Sequence, residues 1–422
     1  MKLKETISID KFDGRRVKIK IYEPIEPNHK KAVITHYLHN IKTPKISKIF
    51  KKEALQFIKE FVYKCSEENI IIAEEDATQQ LLFEVENVPF PKPENPDFKF
   101  IDLFAGIGGF RIALQNEGGE CVFTSEWDKD AQKTYKANFG STPFGDITSE
   151  YTKKNIPNDF EVLCAGFPCQ PFSHAGLKKG FEDTRGTLFF DVAEIINKRK
   201  ETKNPIKVIF LENVKGLRNH DGGYTLKKII ETLTDLGYET SYEVLNSKNF
   251  GLPQNRERLF IVAWLKGSKK SFNFPIGINI DNKLIFNKDE LKNVKPTNVG
   301  QILIKNPESK YTISDRLYAG HLRRREEHKI KGNGFGFSLF NKKSVYTSTI
   351  SARYYKDGSE ILIEQENANP RKLTPREAAN LQGYDKKFVI PVADTQAYKQ
   401  FGNSVSVPVI QAVFSEIKKQ LL

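Results

Sequence analysis

Apolar positions follow two different periods in the first 87 residues of the chain. In Val17–Tyr22 they alternate with polar ones, whereas between Ala54 and Cys65 they recur every three to four positions. Alternation predicts a β-strand, and the longer period predicts an amphipathic helix. The segment Pro89–Pro96 then contains four prolines, which remove backbone donors and fix φ. We predict a domain boundary there.

From Phe98 onward, short apolar stretches alternate with helical patterns. Phe100–Phe104 predicts a buried strand, and Arg111–Leu114, after a glycine loop, predicts a helix. This alternation is typical of an α/β fold with a doubly wound, mostly parallel sheet. A final helix near Val407–Leu421 has no room for its own core, so we expect it to pack back on this sheet. The same reasoning predicts further strands at Cys121–Thr124, Glu161–Cys164, Val208–Leu211 and Leu259–Ala263.

Composition limits the class of protein. The 422 residues are 39% hydrophobic, which suits a globular protein of two or three domains. No apolar run approaches the roughly 20 residues that cross a bilayer, and the N-terminus lacks a signal-peptide core, so we expect a cytoplasmic protein without membrane contact. The four cysteines have no paired spacing, which predicts free thiols and no metal site.

The net charge of +13, with local clusters such as Arg323–Arg325, favours a polyanionic partner. The alternative is that the lysines only keep the surface soluble. Charge alone does not separate these two interpretations.

A candidate cofactor site begins at the loop Phe104–Phe110, whose small residues allow a ligand to approach backbone amides. Glu126 follows the next strand, twenty residues after Gly106, where a carboxylate can bind ribose hydroxyls. A third predicted strand ends at Asp146 and Ile147, which offer a carboxylate and an apolar side chain for an adenine. The loop departs from the G-x-G-x-x-G fingerprint, which disfavours NAD. Glycines that only shape a turn are the alternative.

A candidate nucleophile, Cys169, lies in a proline-flanked loop after the strand that ends at Cys164. Glu212 follows another apolar strand, at the carboxyl edge where doubly wound sheets place their sites. Arg256 and Arg258 stand two residues apart, on one face of an extended segment, and can hold a phosphate or a polarised carbonyl. Taken singly, each has an ordinary alternative, such as a core thiol, a helix cap or a surface ion pair.

Together, these motifs resemble the bacterial cytosine-carbon-5 DNA methyltransferases. The resemblance covers residues 98–422 in the family's motif order and is specific, because six separated motifs agree. The motifs are Phe100–Gly109, Gly166–Ser173, Glu212–Val214, Gln254–Arg258, Arg371–Glu377 and Gly402–Val405.

The resemblance implies a covalent mechanism. Cys169 would add to carbon-6 of cytosine, Glu212 would contact the ring nitrogen, and Arg256 and Arg258 would hold the base carbonyl and order the site. A base inside a duplex is out of reach of such a thiol, so the target is expected to be flipped out. The segment after Cys169, with Ser173 and Arg185 as DNA contacts, would close over it.

The resemblance also implies S-adenosyl-L-methionine as the methyl donor, with no metal. Its expected contacts are Phe104, Gly106, Gly108, Glu126, Trp127, Asp146, Ile147, Pro168, Leu188 and Asn403.

Four regions follow from this comparison: an N-terminal extension of unknown role at 1–95, a catalytic domain at 96–274, an irregular target-recognition domain at 275–370, and a segment at 371–422 that returns to the catalytic domain. Within the third, Gly332–Phe337 and Ser351–Gly358 resemble the recognition segments of enzymes that methylate CCWGG or CCNGG sites. Arg353 is the expected guanine reader, because arginine pairs bidentately with guanine. The expected partner is double-stranded DNA, with a cognate restriction endonuclease acting on the same site and the methyltransferase acting as a monomer.

Two alternatives compete with this interpretation. One branch of the family methylates RNA, but its members carry a Cys-Phe-Thr segment in the recognition domain, and no cysteine follows Cys169 here. A DNA-binding regulator with a degenerate methyltransferase core is expected to have lost its nucleophile or its carboxylate, whereas Cys169 and Glu212 are both present.

Overall fold

The structure is a computed structural model that describes residues 3–12, 15–22, 27–67, 85–168, 188–200, 202, 204–268, 272–332 and 336–422, with side chains described for 29–60 and from residue 85 onward within those ranges. The predicted nucleophile Cys169 and the predicted DNA contacts Ser173 and Arg185 lie outside the described residues.

An antiparallel strand pair and two helices come first, before the alternation that begins near Phe98. Up to residue 214 the elements are β1 (Leu3–Phe12), β2 (Arg15–Tyr22), α1 (Pro27–His39), α2 (Pro44–Glu67), β3 (Phe98–Leu103), α3 (Gly109–Asn116), β4 (Gly119–Ser125), α4 (Lys129–Phe139), α5 (Glu150–Lys154), β5 (Val162–Ala165), α6 (Leu188–Lys200) and β6 (Val208–Val214).

The described part of the remaining chain contains one further pair of long strands, several short strands and five helices. These elements are α7 (Tyr224–Asp235), β7 (Tyr238–Asn246), β8 (Glu257–Leu265), β9 (Gly277–Ile278), β10 (Leu284–Ile285), α8 (Asp315–Ile330), β11 (Leu339–Phe340), β12 (Leu362–Gln365), β13 (Ala368–Lys372), α9 (Pro375–Leu381), α10 (Asp394–Asn403) and α11 (Val407–Leu421). Short 3-10 helices lie at Lys215–Arg218, His220–Gly223, Ser247–Phe250, Lys288–Asn293, Val299–Gln301 and Ser309–Tyr311.

A six-stranded sheet with the order β4-β3-β5-β6-β8-β7 forms the centre of the fold. β3 pairs in parallel with β4 and with β5, whereas β7 runs antiparallel to β8. Every residue of β4 and β5 is buried, as is typical of parallel strands that are covered on both faces. The predicted α/β fold with a mostly parallel sheet is therefore confirmed.

The described residues divide into two compact units. One unit contains those within 1–108, 118–165 and 172–208, and the other contains those within 109–117, 166–171 and 209–422. In the second unit, α11 packs against α3, and its bounds are those predicted from the sequence. The same unit holds a small separate core in its irregular part, where Ile313, Phe337 and Leu362 pack together.

Two sequence predictions need correction. α2 begins at Pro44, ten residues before the predicted start, because Ile46 and Phe50 continue its buried face through a lysine-rich stretch. The third strand predicted to end at Asp146 and Ile147 is absent from this described part of the chain. A single parallel bridge joins Phe144 to Ser125 instead, since the segment turns away after one pair of hydrogen bonds.

Candidate active site

The glycine loop after β3 has three residues in the left-handed region of backbone conformation: Phe104 at φ 56°, Gly106 at 55° and Gly108 at 86°. A Cβ on Gly108 would lie 2.2 Å from the ring of Phe139, so only glycine fits there. A Cβ on Gly106 would meet nothing within 4 Å. The space beside the Gly106 backbone is therefore open to a ligand.

Glu126 is fixed against this loop by its carboxylate. Oε2 accepts a hydrogen bond from the Gly106 N–H at 2.8 Å, and Oε1 accepts one from the Asp128 N–H at 2.8 Å. Burial raises the pKa of Glu126, and these backbone N–H groups act in the opposite direction. Each oxygen keeps a lone pair for a further donor. The neighbouring Trp127 is 76% exposed, so an apolar ring lies open beside the carboxylate.

Asp146 and Ile147 follow the bridge at Phe144. The N–H of Glu126 donates to the Phe144 carbonyl at 2.8 Å, and the Phe144 N–H donates to the Thr124 carbonyl at 2.9 Å. These bonds connect the two carboxylate-bearing turns, with Asp146 exposed and Ile147 buried. Leu188, another predicted cofactor contact, begins α6 and is half-buried.

In the second unit, the buried Glu212 forms an ion pair with the partly buried Arg258. Nε of Arg258 lies 3.2 Å from Oε1 of Glu212, on β8 and β6 respectively. Burial raises the pKa of the Glu212 carboxyl, whereas the charges of Arg258 and Arg256 lower it. The structure thus brings together three of the four predicted catalytic residues.

The guanidinium of Arg256 contacts backbone carbonyls. It donates to Ile350 at 3.2 Å, to Gly402 at 3.2 Å and to Ser404 at 2.6 Å. A Cβ on Gly402 would lie 2.3 Å from the carbonyl of Ser351, so the glycine permits this close approach. Arg256 therefore joins the start of the segment Ser351–Gly358 to the motif Gly402–Val405.

The segment that leads to Cys169 starts beside the Glu212 carboxylate. A Cβ on Gly166 would lie 3.8 Å from Oε2 of Glu212, and the amide of Asn213 donates to the Phe167 carbonyl at 2.8 Å. Pro168, the last described residue before the nucleophile, is exposed. Sequence reasoning gave no role to Asn213, although an amide directly after the strand carboxylate was a usable signal.

Gln254 is a second residue that sequence reasoning missed. It is fully buried; its amide nitrogen donates to the Leu381 carbonyl at 3.1 Å, and its oxygen accepts from the Ile350 N–H at 3.1 Å. A buried amide needs such partners on both sides. Gln254 therefore fixes the same segment that Arg256 holds.

Arg353 is exposed on the predicted recognition segment, and the segment is anchored on either side of it. The buried Tyr354 hydroxyl donates to the Ile361 carbonyl at 2.6 Å. Both guanidinium nitrogens of Arg324 donate to Asp357 at 3.1 Å. Residues 333–335 of the other predicted segment lie outside the described residues, and Asn403 is exposed at the end of α10.

Cys121 and Cys164 are buried free thiols, as predicted for core cysteines. Burial raises the pKa of Cys164 well above its usual value, and the nearby Asp102 raises it further. A thiol in this state is a poor nucleophile.

Comparisons with known proteins extend this picture. The family model described as C-5 cytosine-specific DNA methylase matches residues 98–419. The chain is 53% identical over 333 residues to the type II methyltransferase M.SsoII of Shigella sonnei, which covers 78% of this chain and 82% of that protein. It is 52% identical over 341 residues to M1.ScrFI of Lactococcus lactis subsp. cremoris, which covers 80% and 82% respectively.

Among solved structures, the Entamoeba histolytica methyltransferase EhMeth superposes with a TM-score of 0.59 at 20% identity, over 77% of this chain and 99% of that one. This likeness concerns the fold. In the described part of the chain, no helix has both the length and the apolar character needed to span a membrane.

Proposed function

Because this chain belongs to the C-5 cytosine-specific DNA methylase family, we propose that it methylates carbon-5 of cytosine in duplex DNA by covalent catalysis through Cys169. The observation that carries this proposal is the buried Glu212–Arg258 pair beside the segment leading to Cys169. A carboxyl under opposing influences of burial and cations is suited to sharing a proton with a substrate.

We propose S-adenosylmethionine as the cofactor, since the residues of the glycine loop fit an adenosine ligand. The Glu126 carboxylate suits ribose hydroxyls, the exposed Trp127 ring suits a planar base, and the backbone at Gly106 has open space beside it. Asp146 and Ile147 would complete the adenine contacts. Phe104, Gly108, Pro168, Leu188 and Asn403 are assigned to the same ligand by family likeness. When bound, S-adenosylmethionine supplies an electrophilic methyl group.

In the proposed mechanism, the Cys169 thiolate bonds to carbon-6 of a flipped-out cytosine. The electron pair of the carbon-5–carbon-6 double bond is displaced onto carbon-5 and, by conjugation, onto the ring nitrogen, so carbon-5 becomes an enamine-like nucleophile. After carbon-5 has been methylated, loss of its proton restores the double bond and expels Cys169 as the thiolate.

Glu212 contacts the ring nitrogen and holds the proton that neutralises the negative charge developing there. Arg258 keeps the carboxyl in place and stands next to the base carbonyl, where a fixed cation stabilises developing charge. Arg256, whose two terminal nitrogens donate to backbone carbonyls, orders the site. Asn213 sets the direction of the segment Gly166–Pro168 from which Cys169 extends.

Site selection is assigned to residues 275–370, with Arg353 reading guanine in the major groove. We propose a CCWGG or CCNGG target, because Gly332–Phe337 and Ser351–Gly358 resemble the recognition segments of such enzymes. Ser173 and Arg185 would contact DNA from the segment that closes over the base. The enzyme is proposed to act as a monomer in the cytoplasm, beside a restriction endonuclease of the same specificity.

The test is incubation of the protein and its Cys169→Ser variant with methyl-labelled S-adenosylmethionine, duplex DNA and transfer RNA. We expect the wild type to produce 5-methylcytosine at one short sequence, located by bisulfite sequencing, and the variant to produce none. Label found only in transfer RNA would favour the RNA methyltransferase alternative. Undiminished methylation by the variant would contradict the mechanism.

A further inference from the structure

The two N-terminal helices α1 and α2 lie outside the family match at 98–419, yet they contact the part of the sheet that carries the candidate cofactor residues. β4 is the outer strand of the sheet, so one side of its backbone needs hydrogen-bond partners from elsewhere. α1 provides them. The side-chain amide of Asn40, just after α1, donates to the Val122 carbonyl at 3.4 Å.

His36 accepts a hydrogen bond from the next backbone N–H on the outer edge of β4, that of Thr124. The Thr124 N–H donates to Nε2 of His36 at 3.3 Å, and Nδ1 of His36 lies 2.9 Å from the Ala32 carbonyl. Because a carbonyl only accepts, Nδ1 carries the proton and Nε2 is the acceptor. Both bonds therefore require the neutral Nδ1–H tautomer of His36, which is 2% exposed.

Aromatic packing holds the His36 ring in this orientation. Its centroid lies 4.8 Å from that of Phe144, 5.6 Å from Phe50 and 5.7 Å from Phe123. Phe50 belongs to α2 and Phe123 to β4. This aromatic cluster thus joins α1 and α2 to β4 and to the segment around Phe144, which forms a single bridge to β4.

These contacts lie next to the two turns that carry the candidate cofactor carboxylates. Thr124, held by His36, lies two residues before Glu126, and Phe144, packed on His36, lies two residues before Asp146. The hydroxyl of Thr35 accepts from the Thr142 N–H at 3.0 Å, which anchors the second turn directly. His36 and Thr35 of α1 therefore support both turns.

A second set of contacts fixes the helices in place. The hydroxyl of Tyr151 on α5 donates to Glu53 of α2 at 2.8 Å. Lys92 donates to the His39 carbonyl at the end of α1 and to Glu120 of β4, the latter at 3.3 Å. Several independent contacts thus tie α1 and α2 to β4 and to α5.

We propose that His36 and Thr35 are positioning residues for the cofactor: the N-terminal helices hold the turns at Glu126 and Asp146 in the geometry that binds the adenosine part of S-adenosylmethionine. This inference rests on the proposed function, since it concerns the same site. It assigns a role to α1 and α2 that is separate from DNA recognition.

The test uses three variants of the full-length chain and isothermal titration with S-adenosylhomocysteine, which needs no turnover. His36→Phe keeps a ring in the cluster but leaves the Thr124 N–H without its acceptor, and Thr35→Val does the same to Thr142 with little change of shape. We expect each to weaken binding about tenfold, the factor that corresponds to one lost hydrogen bond of this kind. His36→Gln, whose amide oxygen can accept, is expected to recover most of the affinity.

A matched control is Ile58→Val, which removes a buried methyl group from α2 without affecting any of these hydrogen bonds. We expect its affinity for S-adenosylhomocysteine to stay within twofold of the wild type. In steady-state assays, His36→Phe and Thr35→Val should raise KM for S-adenosylmethionine while kcat and KM for DNA stay unchanged.

Three results would overturn the inference. If the wild type binds S-adenosylhomocysteine and both variants bind it within twofold of the wild type, the helices do not position the site. If Ile58→Val weakens binding as much as they do, the effect is one of general stability. If the wild type itself does not bind, the proposed cofactor fails and the inference fails with it.

Discussion

Nε of Arg258 lies 3.2 Å from Oε1 of Glu212, and both side chains are largely shielded from solvent. Burial raises the pKa of this carboxyl, whereas the adjacent cations Arg258 and Arg256 lower it. These opposing influences are what a proton-sharing group requires, and they make the pair the clearest target for mutation.

Glu212→Gln should lower kcat by about 10²-fold or more, because an amide cannot pass a proton to the base. Methyl transfer under single-turnover conditions measures this.

The same substitution should change how stability depends on pH, in addition to leaving the partly buried Arg258 without its carboxylate partner. The pKa of Glu212 is raised in the folded state, so the folded protein holds this proton more tightly than the unfolded chain does. Ionisation of Glu212 therefore costs stability as pH rises through the folded-state pKa, and a neutral glutamine avoids that cost. Thermal unfolding should therefore show that the Tm of the variant, relative to that of the wild type, increases as pH is raised toward 7.5. A much lower Tm would mean that lost activity reflects unfolding.

Arg258→Gln should change the pH dependence of the reaction. Removing this cation raises the pKa of Glu212 further, so the acid form of Glu212 persists to higher pH. The alkaline limb of the profile of kcat against pH should therefore shift to higher pH. Arg258→Lys, which keeps the charge, serves as the control and should leave the limb near its wild-type position. Single-turnover rates measured between pH 6 and 10 test this prediction. Identical profiles of rate against pH in the wild type and both variants would show that Glu212 does not govern the rate.

Arg353→Ala should reduce affinity for the cognate duplex by about 1–3 kcal/mol and relax discrimination at one guanine. The exposed Lys356 in the same segment provides the control, since Lys356→Ala should weaken all duplexes about equally. Competition binding with single-base variants of the site measures both effects. If Arg353→Ala discriminates between the duplexes as the wild type does, Arg353 does not read a base.

Glu377→Ala should destabilise the protein by about 3–5 kcal/mol. One fully buried carboxylate accepts two hydrogen bonds from Arg371 and one each from the backbone N–H groups of Ile304 and Thr374. Glu366→Ala, at an exposed turn, should stay within about 0.5 kcal/mol of the wild type. Urea unfolding of the two variants tests this, and equal midpoints would contradict it.

Five of the six strands of the central sheet were predictable because each is a short, nearly continuous apolar run between turns. The sixth, β7, was not predicted, because it lies at the edge of the sheet and is largely polar. The placement of Glu212, Arg256 and Arg258 could be predicted from the apolar strands. Each residue lies near the end of such a strand, and the end of a strand determines where nearby side chains lie. Helix α11 could be predicted to the residue, because a proline follows its first position and apolar residues then recur regularly.

Other features depend on contacts between distant segments, which no local pattern encodes. The two arginines look equivalent in sequence, yet one pairs with Glu212 and the other donates to the carbonyls of Ile350 and Ser404. The support of the cofactor turns by His36 has the same character, since a single histidine in a helix gives no signal of its partner 88 residues away. The strand predicted to end at Asp146 and Ile147 is likewise reduced to one bridge, between Phe144 and Ser125.

The most direct test of the central claim is a trapping experiment with a duplex that carries 5-fluorocytosine at the target position. Fluorine on carbon-5 cannot leave as a proton does, so the step that expels Cys169 is blocked and the enzyme should remain bonded to carbon-6. With S-adenosylmethionine present, we predict a complex that survives denaturation, with the DNA attached to the peptide containing Cys169, and no such complex for Cys169→Ser. Attachment at another residue, or full methylation of ordinary duplex without any trapped complex, would contradict covalent catalysis through Cys169.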